Sequence, residues 1–138
     1  TYTYYHKQGK RIYCLDRITY LQKREETFKM PEGWSAEEFF DGCFGIIADN
    51  NIPKEHVKLK VSAGQAIYLR DLKLHESQEE TECNEEYSLF TYYLRPTFDF
   101  QQDLLRNGED LEVLAPTWLR KELAEKIKRM YNKYNISE

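Results

Sequence analysis

Val57-Lys58-Leu59-Lys60-Val61-Ser62-Ala63-Gly64-Gln65 is the stretch on which the reading of the fold turns. Val57, Leu59 and Val61 occupy every second position, with Lys58 and Lys60 between them. That is the period of a strand with one packed and one wet face. At Ser62 the pattern changes. A Ser followed three residues later by Gln is a capping box, in which the hydroxyl takes an unpaired amide of the first helical turn. A helix is therefore expected to about Leu72.

Downstream, residues 79–83 read as a short acidic strand and Asn84-Glu85 as a turn. Tyr87 to Leu94 is apolar on both faces, which predicts a central strand ended by Pro96. Asp99 and Gln102 are spaced as another capping box, opening a helix that carries Leu104 and Leu105 and stops at Asn107-Gly108. Leu111 to Leu114 is a further strand. Pro116 leads a helix with Leu119, Leu123, Ile127, Met130 and Tyr134 on one stripe. From residue 57 the order is β-α-β-β-α-β-α. Its first six elements are the split βαβ, ferredoxin-like arrangement, so the fold class is α+β with an extra C-terminal helix.

Upstream, Ser35 and Glu38 predict a short helix, with Trp34 and Phe39 placed as a hydrophobic staple. Residues 22–34 are polar, contain Pro31 and Gly33, and read as a linker. Residues 2–6 are rich in β-formers, Lys7-Gln8-Gly9-Lys10 is a turn signal, and Arg11 to Leu21 alternates. The expectation is a β-hairpin that belongs to a larger sheet, because two strands are marginal alone. The expected division is 1–30, hairpin and linker, and 31–138. Because Thr1 rather than Met opens the chain, a cut from something longer is expected.

The 138 residues are 41% hydrophobic and 32% charged, a globular balance, and no apolar run is long enough to cross a bilayer. The net charge of -4 is unevenly spread. Residues 1–29 hold seven Lys or Arg and three acids, residues 117–134 six Lys or Arg and two acids, and residues 75–88 six Glu with no Lys or Arg. A basic face for an anionic partner is thus compatible with an acidic chain. Cys14, Cys43 and Cys83 lack zinc-ligand spacing, and His6, His56 and His75 are scattered, so no metal or cofactor is expected and reduced cytoplasmic thiols are.

Catalytic signatures such as GxSxG, a Walker loop or HExxH are missing. Arg11, Tyr13 and Arg17 would project from one strand face if the hairpin forms. Guanidinium groups bind phosphates bidentately and an aromatic ring between them can stack on a base. The plainer reading is a solvated strand face, with Arg17 paired to a carboxylate. The Glu cluster reads as a solvated hairpin rather than a calcium site, lacking the Asp-x-Asp-x-Asp-Gly spacing.

Tyr13-Cys14-Leu15-Asp16-Arg17-Ile18 followed by Phe28-x-x-Pro31 resembles the end of a WYL domain. What comes next is similar to the family's C-terminal extension, WCX: Phe40 with Phe44-Gly45-Ile46, Val57-x-Leu59, Leu74-His75-Glu76-Ser77-Gln78, Leu104-Leu105 with Gly108, Glu112-Val113-Leu114-x-Pro116, and Leu119-Arg120. The resemblance covers nearly the whole chain in order. It departs at Cys14, where the family often has Arg, and the Trp-Tyr-Leu run itself is missing.

The resemblance implies a bacterial transcription regulator. Such proteins carry an N-terminal winged helix-turn-helix, an Sm-like or SH3-like WYL barrel that senses nucleic-acid or nucleotide-type ligands, whose last strands and linker would be residues 1–30 here, and a ferredoxin-like extension, here 31–138, that helps dimerise and relay. The chain would then be a ligand-sensing and dimerisation region, not an enzyme, binding an anionic nucleotide or single-stranded nucleic acid. Arg11, Tyr13 and Arg17 are the expected ligand-binding residues, with Lys60 and Arg70 as further candidates. A homodimer is expected, promoter DNA would be met only through a helix-turn-helix not in this chain, and no membrane is involved. The alternatives are a plain protein-interaction or dimerisation module without a nucleotide ligand, and a small ferredoxin-like enzyme or amino-acid-binding module.

Overall fold

The computed structural model describes residues 13, 15–49 and 51–134. The chain divides into two units, Thr1–Ser35 and Ala36–Glu138.

In the first unit the expected strand over Arg11 to Leu21 is replaced. Leu15–Arg17 forms a 3-10 turn, closed by Ile18 N donating to Leu15 O at 3.1 Å, and residues 18–30 are irregular. The other half of the expected hairpin lies outside the described residues. The physical reason is burial. Leu15 is 83% and Leu21 85% exposed, so the alternation has no covered face to hold it flat, and an unsupported strand gains little in water.

In the second unit a short helix, α1 (Ala36–Phe40), starts directly after Ser35. There follow β1 (Glu55–Ser62), α2 (Ala63–Asp71), β2 (Glu79–Cys83), β3 (Tyr87–Leu94), α3 (Phe98–Arg106), β4 (Leu111–Ala115) and α4 (Thr117–Tyr134). The β-α-β-β-α-β-α order expected from residue 57 is the observed one. The four strands make one sheet in the order β2-β3-β1-β4, with every neighbouring pair antiparallel.

The core lies against one face of this sheet. Val57, Leu59 and Val61 of β1 are fully buried, with Phe90, Tyr92 and Leu94 of β3 beside them in register. Ala66 and Leu69 of α2, Phe100 and Leu104 of α3, and Leu119 and Leu123 of α4 complete it. β3 is central, as its composition predicts, but its second face is only partly covered. Tyr93 is 44% exposed and Tyr87 is half-buried. Along β1 the same face carries His56, Lys58 and Lys60, in register with Tyr93, Thr91 and Leu89.

The two capping boxes differ from expectation in instructive ways. Ser62 does cap α2, accepting from Gln65 N at 3.3 Å. The Gln65 side chain does not return to close the box; its Nε2 donates to Asn107 Oδ1 at 2.7 Å and joins α2 to the end of α3. At α3 the N-cap position is Thr97, without a side-chain cap bond. Asp99 instead accepts from Ile46 N and Ile47 N, both 3.1 Å from Oδ2. Its carboxylate thus serves orphaned amides in the loop after α1 rather than those of its own helix. Gly45 makes this approach possible. Its φ is +68°, and a Cβ there would stand 2.8 Å from Asp99 Oδ2.

Candidate functional site

The five residues picked out by sequence are divided between the two units, and within each unit those described form no common site. Arg11 lies outside the described residues. Tyr13, 53% exposed, and Arg17, in the 3-10 turn, belong to the first unit and share no strand face. Lys60 and Arg70 belong to the second unit, on opposite sides of the sheet.

Lys60 stands on the partly covered side. Its ammonium lies 4.4 Å from the centre of the Tyr87 ring, near enough for the ring's negative face to attract it. A similar pair stands at the far end of β3, where Lys54 Nζ is 5.2 Å from the Tyr93 ring centre and the His56 ring lies 4.7 Å from it. The two ends differ in charge. Lys60 and Tyr87 border a hollow that also contains Glu86, Glu109, Asp110 and Glu112. At the Tyr93 end the bases Lys54, His56 and Lys58 cluster. Asp41 there is bound to Lys54 at 2.7 Å, which holds its carboxyl below the usual range. Glu55 accepts from Trp118 Nε1 at 2.9 Å.

Arg70 stands on the packed side and is already engaged. Its Nε donates to Glu80 Oε2 at 2.9 Å and its Nη2 to Glu80 Oε1 at 2.6 Å, a bidentate fork. Nη2 also reaches Ser88 Oγ at 3.1 Å and Cys83 Sγ at 3.3 Å. Hydrogen bonds from Arg70 and then Ser88 hold the Glu80 carboxyl down at about 2. The clamp ties α2 to β2 and β3. The fork formed by Nε and Nη2, the edge suited to a bidentate anion, is thus taken by Glu80.

The motif Leu74-His75-Glu76-Ser77-Gln78 is the connector between α2 and β2, and the side chains of His75, Ser77 and Gln78 face inward. Gln78 is 7% exposed. Its Oε1 accepts from Leu74 N and Tyr92 Oη, and its Nε2 donates to Leu69 O. Ser77 Oγ accepts from Tyr93 N at 2.9 Å and lies 2.7 Å from His75 Nδ1. Burial pushes the His75 imidazole down, toward the neutral form. These residues position the sheet. Sequence reasoning noticed the string without seeing this role, although a run of hydrogen-bonding residues between a helix and a strand was the available signal.

An apolar groove of about 490 Å³ lies beside α4. Leu104, Leu105, Leu111, Leu123, Ile127 and Met130 line it, with Glu109, Glu112 and Arg120 at its margin. Arg120 donates to Val113 O at 2.7 Å and pairs with Glu112 at 2.6 Å, which fixes α4 against β4. Among the described residues no cluster of three or more His, Cys, Asp or Glu is placed to hold a metal. No helix among them is long and apolar enough to cross a membrane.

No curated protein matches the chain. The family model of the WCX domain matches residues 53–131, from just before β1 into the last turns of α4 and more than half of the chain, and the chain belongs to the WCX domain family.

Proposed function

We propose that this chain is the effector-sensing and relaying region of a WYL-type transcription regulator, working in the cytoplasm as a homodimer. Its βαββαβ unit, with strand order β2-β3-β1-β4, supports a ferredoxin-like arrangement. The effector is an anionic nucleotide or a short single strand; the proposed contacts are Arg11, Tyr13 and Arg17 in the first unit and, taken by itself, Lys60 in the second. Residues 1–30 correspond to the end of the WYL domain in this reading. Promoter contact comes through a helix-turn-helix elsewhere in the regulator.

The observation that carries the proposal is the partly covered sheet face of a WCX unit, on which two tyrosines each have a lysine ammonium over the ring. Rings beside cations stack bases and meet phosphates without reading sequence. The test is a titration of a fluorescein-labelled oligothymidine into the full chain at 50 and 200 mM salt. Affinity falls roughly 20-fold across that range if about three phosphates are met, since a single strand gives a slope near -0.7 per contact. Lys60→Ala and Arg17→Ala each weaken binding at low salt. Binding that ignores both substitutions, or is flat with salt, overturns the assignment.

The apolar groove favours a second reading, a plain dimerisation module without a nucleotide ligand. A stable dimer with no affinity for the labelled strand selects it.

A further inference from the structure

The turn that follows α3 carries a reactive pair. The chain has six asparagines, and Asn107 is the one that a glycine follows. Asparagine is a labile side chain, because the backbone nitrogen of the next residue can close on its amide carbon. The approach is easiest before glycine, where no Cβ stands in the way. Gly108 has a φ of +58°, and nothing lies within 4 Å of the place a Cβ would take. Gly108, Glu109 and Asp110 are exposed, so water reaches the turn.

The Asn107 side chain is also a structural tie. Its Oδ1 accepts from Gln65 Nε2 at 2.7 Å, and its Nδ2 donates to Asp103 O at 2.8 Å. Three residues on, Asp110 Oδ1 accepts from Ser62 Oγ at 2.7 Å. Ser62 caps α2 and Gln65 lies in its first turn, so the segment 107–110 clasps the start of α2 at two points. Asp103 stands one helical turn before Asn107. Its Oδ1 pairs with Arg106 at 2.7 Å, and its buried Oδ2 has no partner among the described residues. A negative charge at 107 would repel it at i,i+4 spacing. The backbone holds the reaction in check. Asn107 has a ψ of -5°, which eclipses the Gly108 nitrogen with the Asn107 nitrogen and turns it away from Cγ. Attack requires the turn to open and that bond to rotate, a local opening rather than a global one.

We propose that Asn107-Gly108 is a spontaneous modification site, gated by that opening, whose conversion unfastens α2 from the turn between α3 and β4. The Gly108 nitrogen, its proton taken by solvent base, bonds to Asn107 Cγ. The Cγ–Nδ2 bond breaks and the nitrogen leaves as ammonia. Water then opens the cyclic imide. Cleavage between the Gly108 nitrogen and Cγ leaves an aspartate. Cleavage between that nitrogen and the Asn107 backbone carbonyl carbon leaves an isoaspartate, with the main chain running through Cβ and Cγ. The net change is a water taken up and an ammonia lost, with nothing oxidised or reduced. Either product lacks the donor to Asp103 O and carries a new charge. The isoaspartate also lengthens the main chain by a methylene, which moves Asp110 away from Ser62.

Peptide mapping by mass spectrometry tests this on the full chain, aged at neutral and at mildly alkaline pH. The acid is expected at 107 before any other asparagine, sooner at the higher pH, and more slowly than in urea, where ψ is free. The converted fraction, separated by ion exchange, should show a lowered urea midpoint and faster deuterium uptake over the first turn of α2. Asn107→Gln keeps a side-chain amide on a longer stem that does not close the same small ring, so its aged and fresh samples should share one midpoint. An amide intact at 107 in the folded chain after the unfolded chain has converted overturns the proposal. So does a folded rate no slower than in urea, or a converted fraction with unchanged midpoint and uptake. An equal decline in aged Asn107→Gln also overturns it, since the damage would then lie elsewhere.

Discussion

Replacing Gln78 by Leu keeps most of the side chain's bulk and removes its polar end. Three groups lose their partner: Leu74 N and Tyr92 Oη, each 3.0 Å from Oε1, and Leu69 O, 2.6 Å from Nε2. A hydrogen bond is worth about 1 kcal/mol net, and a buried group left without one costs about 1 to 3 kcal/mol. Tyr92 is 1% and Leu69 3% exposed, so both belong toward the upper end. Leu74 is half-buried and water can reach it, so it belongs at the lower end. The three costs reach about 5 to 7 kcal/mol, and burying a leucine side chain in place of the amide returns about 2 kcal/mol, so the expected loss is about 3 to 5 kcal/mol. With a urea slope of about 1 to 2 kcal/mol per molar for a unit this size, the midpoint should fall by roughly 2 M at unchanged slope. Tyr92→Phe alone should cost only about 1 kcal/mol, because Gln78 keeps its other two bonds. In the Gln78→Leu background the same change should be neutral or stabilising, since it removes an orphaned hydroxyl. Urea melts followed by circular dichroism decide this. A loss below about 1 kcal/mol for Gln78→Leu, or additive losses in the double variant, would refute the reasoning.

Gly45→Ala is expected to destabilise the second unit by about 2 kcal/mol, combining the strain of a positive φ with displacement of the Asp99 carboxylate from two amides; thermal melts should show it, and an unchanged melting temperature would contradict the contact. The Glu80 carboxyl is held at about 2 against an ordinary 4.5, so its share of stability is complete above pH 4.5 and is lost as pH falls toward 2. Urea midpoints measured down that range should drop less steeply in Glu80→Gln than in the parent. His75 is shifted the same way in sign but from 6.5: the unfolded chain takes the proton first, so stability is full above pH 6.5 and declines as pH is lowered through it. His75→Asn should lack that decline, and a parent midpoint that is flat between pH 7 and 5.5 would show the imidazole is free to charge in place.

The second unit was legible because its elements announce themselves locally. The alternation of Val57, Leu59 and Val61, the hydroxyl of Ser62 and the stripe from Leu119 to Leu123 each report a local backbone geometry together with the side that gets buried. The first unit was not legible, because the alternation around Tyr13 and Arg17 has meaning only against a covering partner. Asp99 and Gln65 show a finer failure. Spacing reveals that a side chain can reach its own helix, but not that a loop or a neighbouring helix offers a better acceptor or donor. The site residues suffered most, since Lys60 and Arg70 are ten apart in sequence and the strand's alternation sends one outward while the helix after it folds the other inward. The Arg70 fork could be found only by knowing that β2 lies beside β3.

The connector of residues 74–78 has a consequence for motion. Its side chains hold the amides of Leu74 and Tyr93 and the Leu69 carbonyl of α2, groups that belong to three different elements. None of these can swing away unless the others let go as well. Under slow deuterium uptake the two amides should therefore exchange in lockstep, so that a tug on the helix arrives at the middle of the sheet undiminished, as it would through a rivet rather than a hinge.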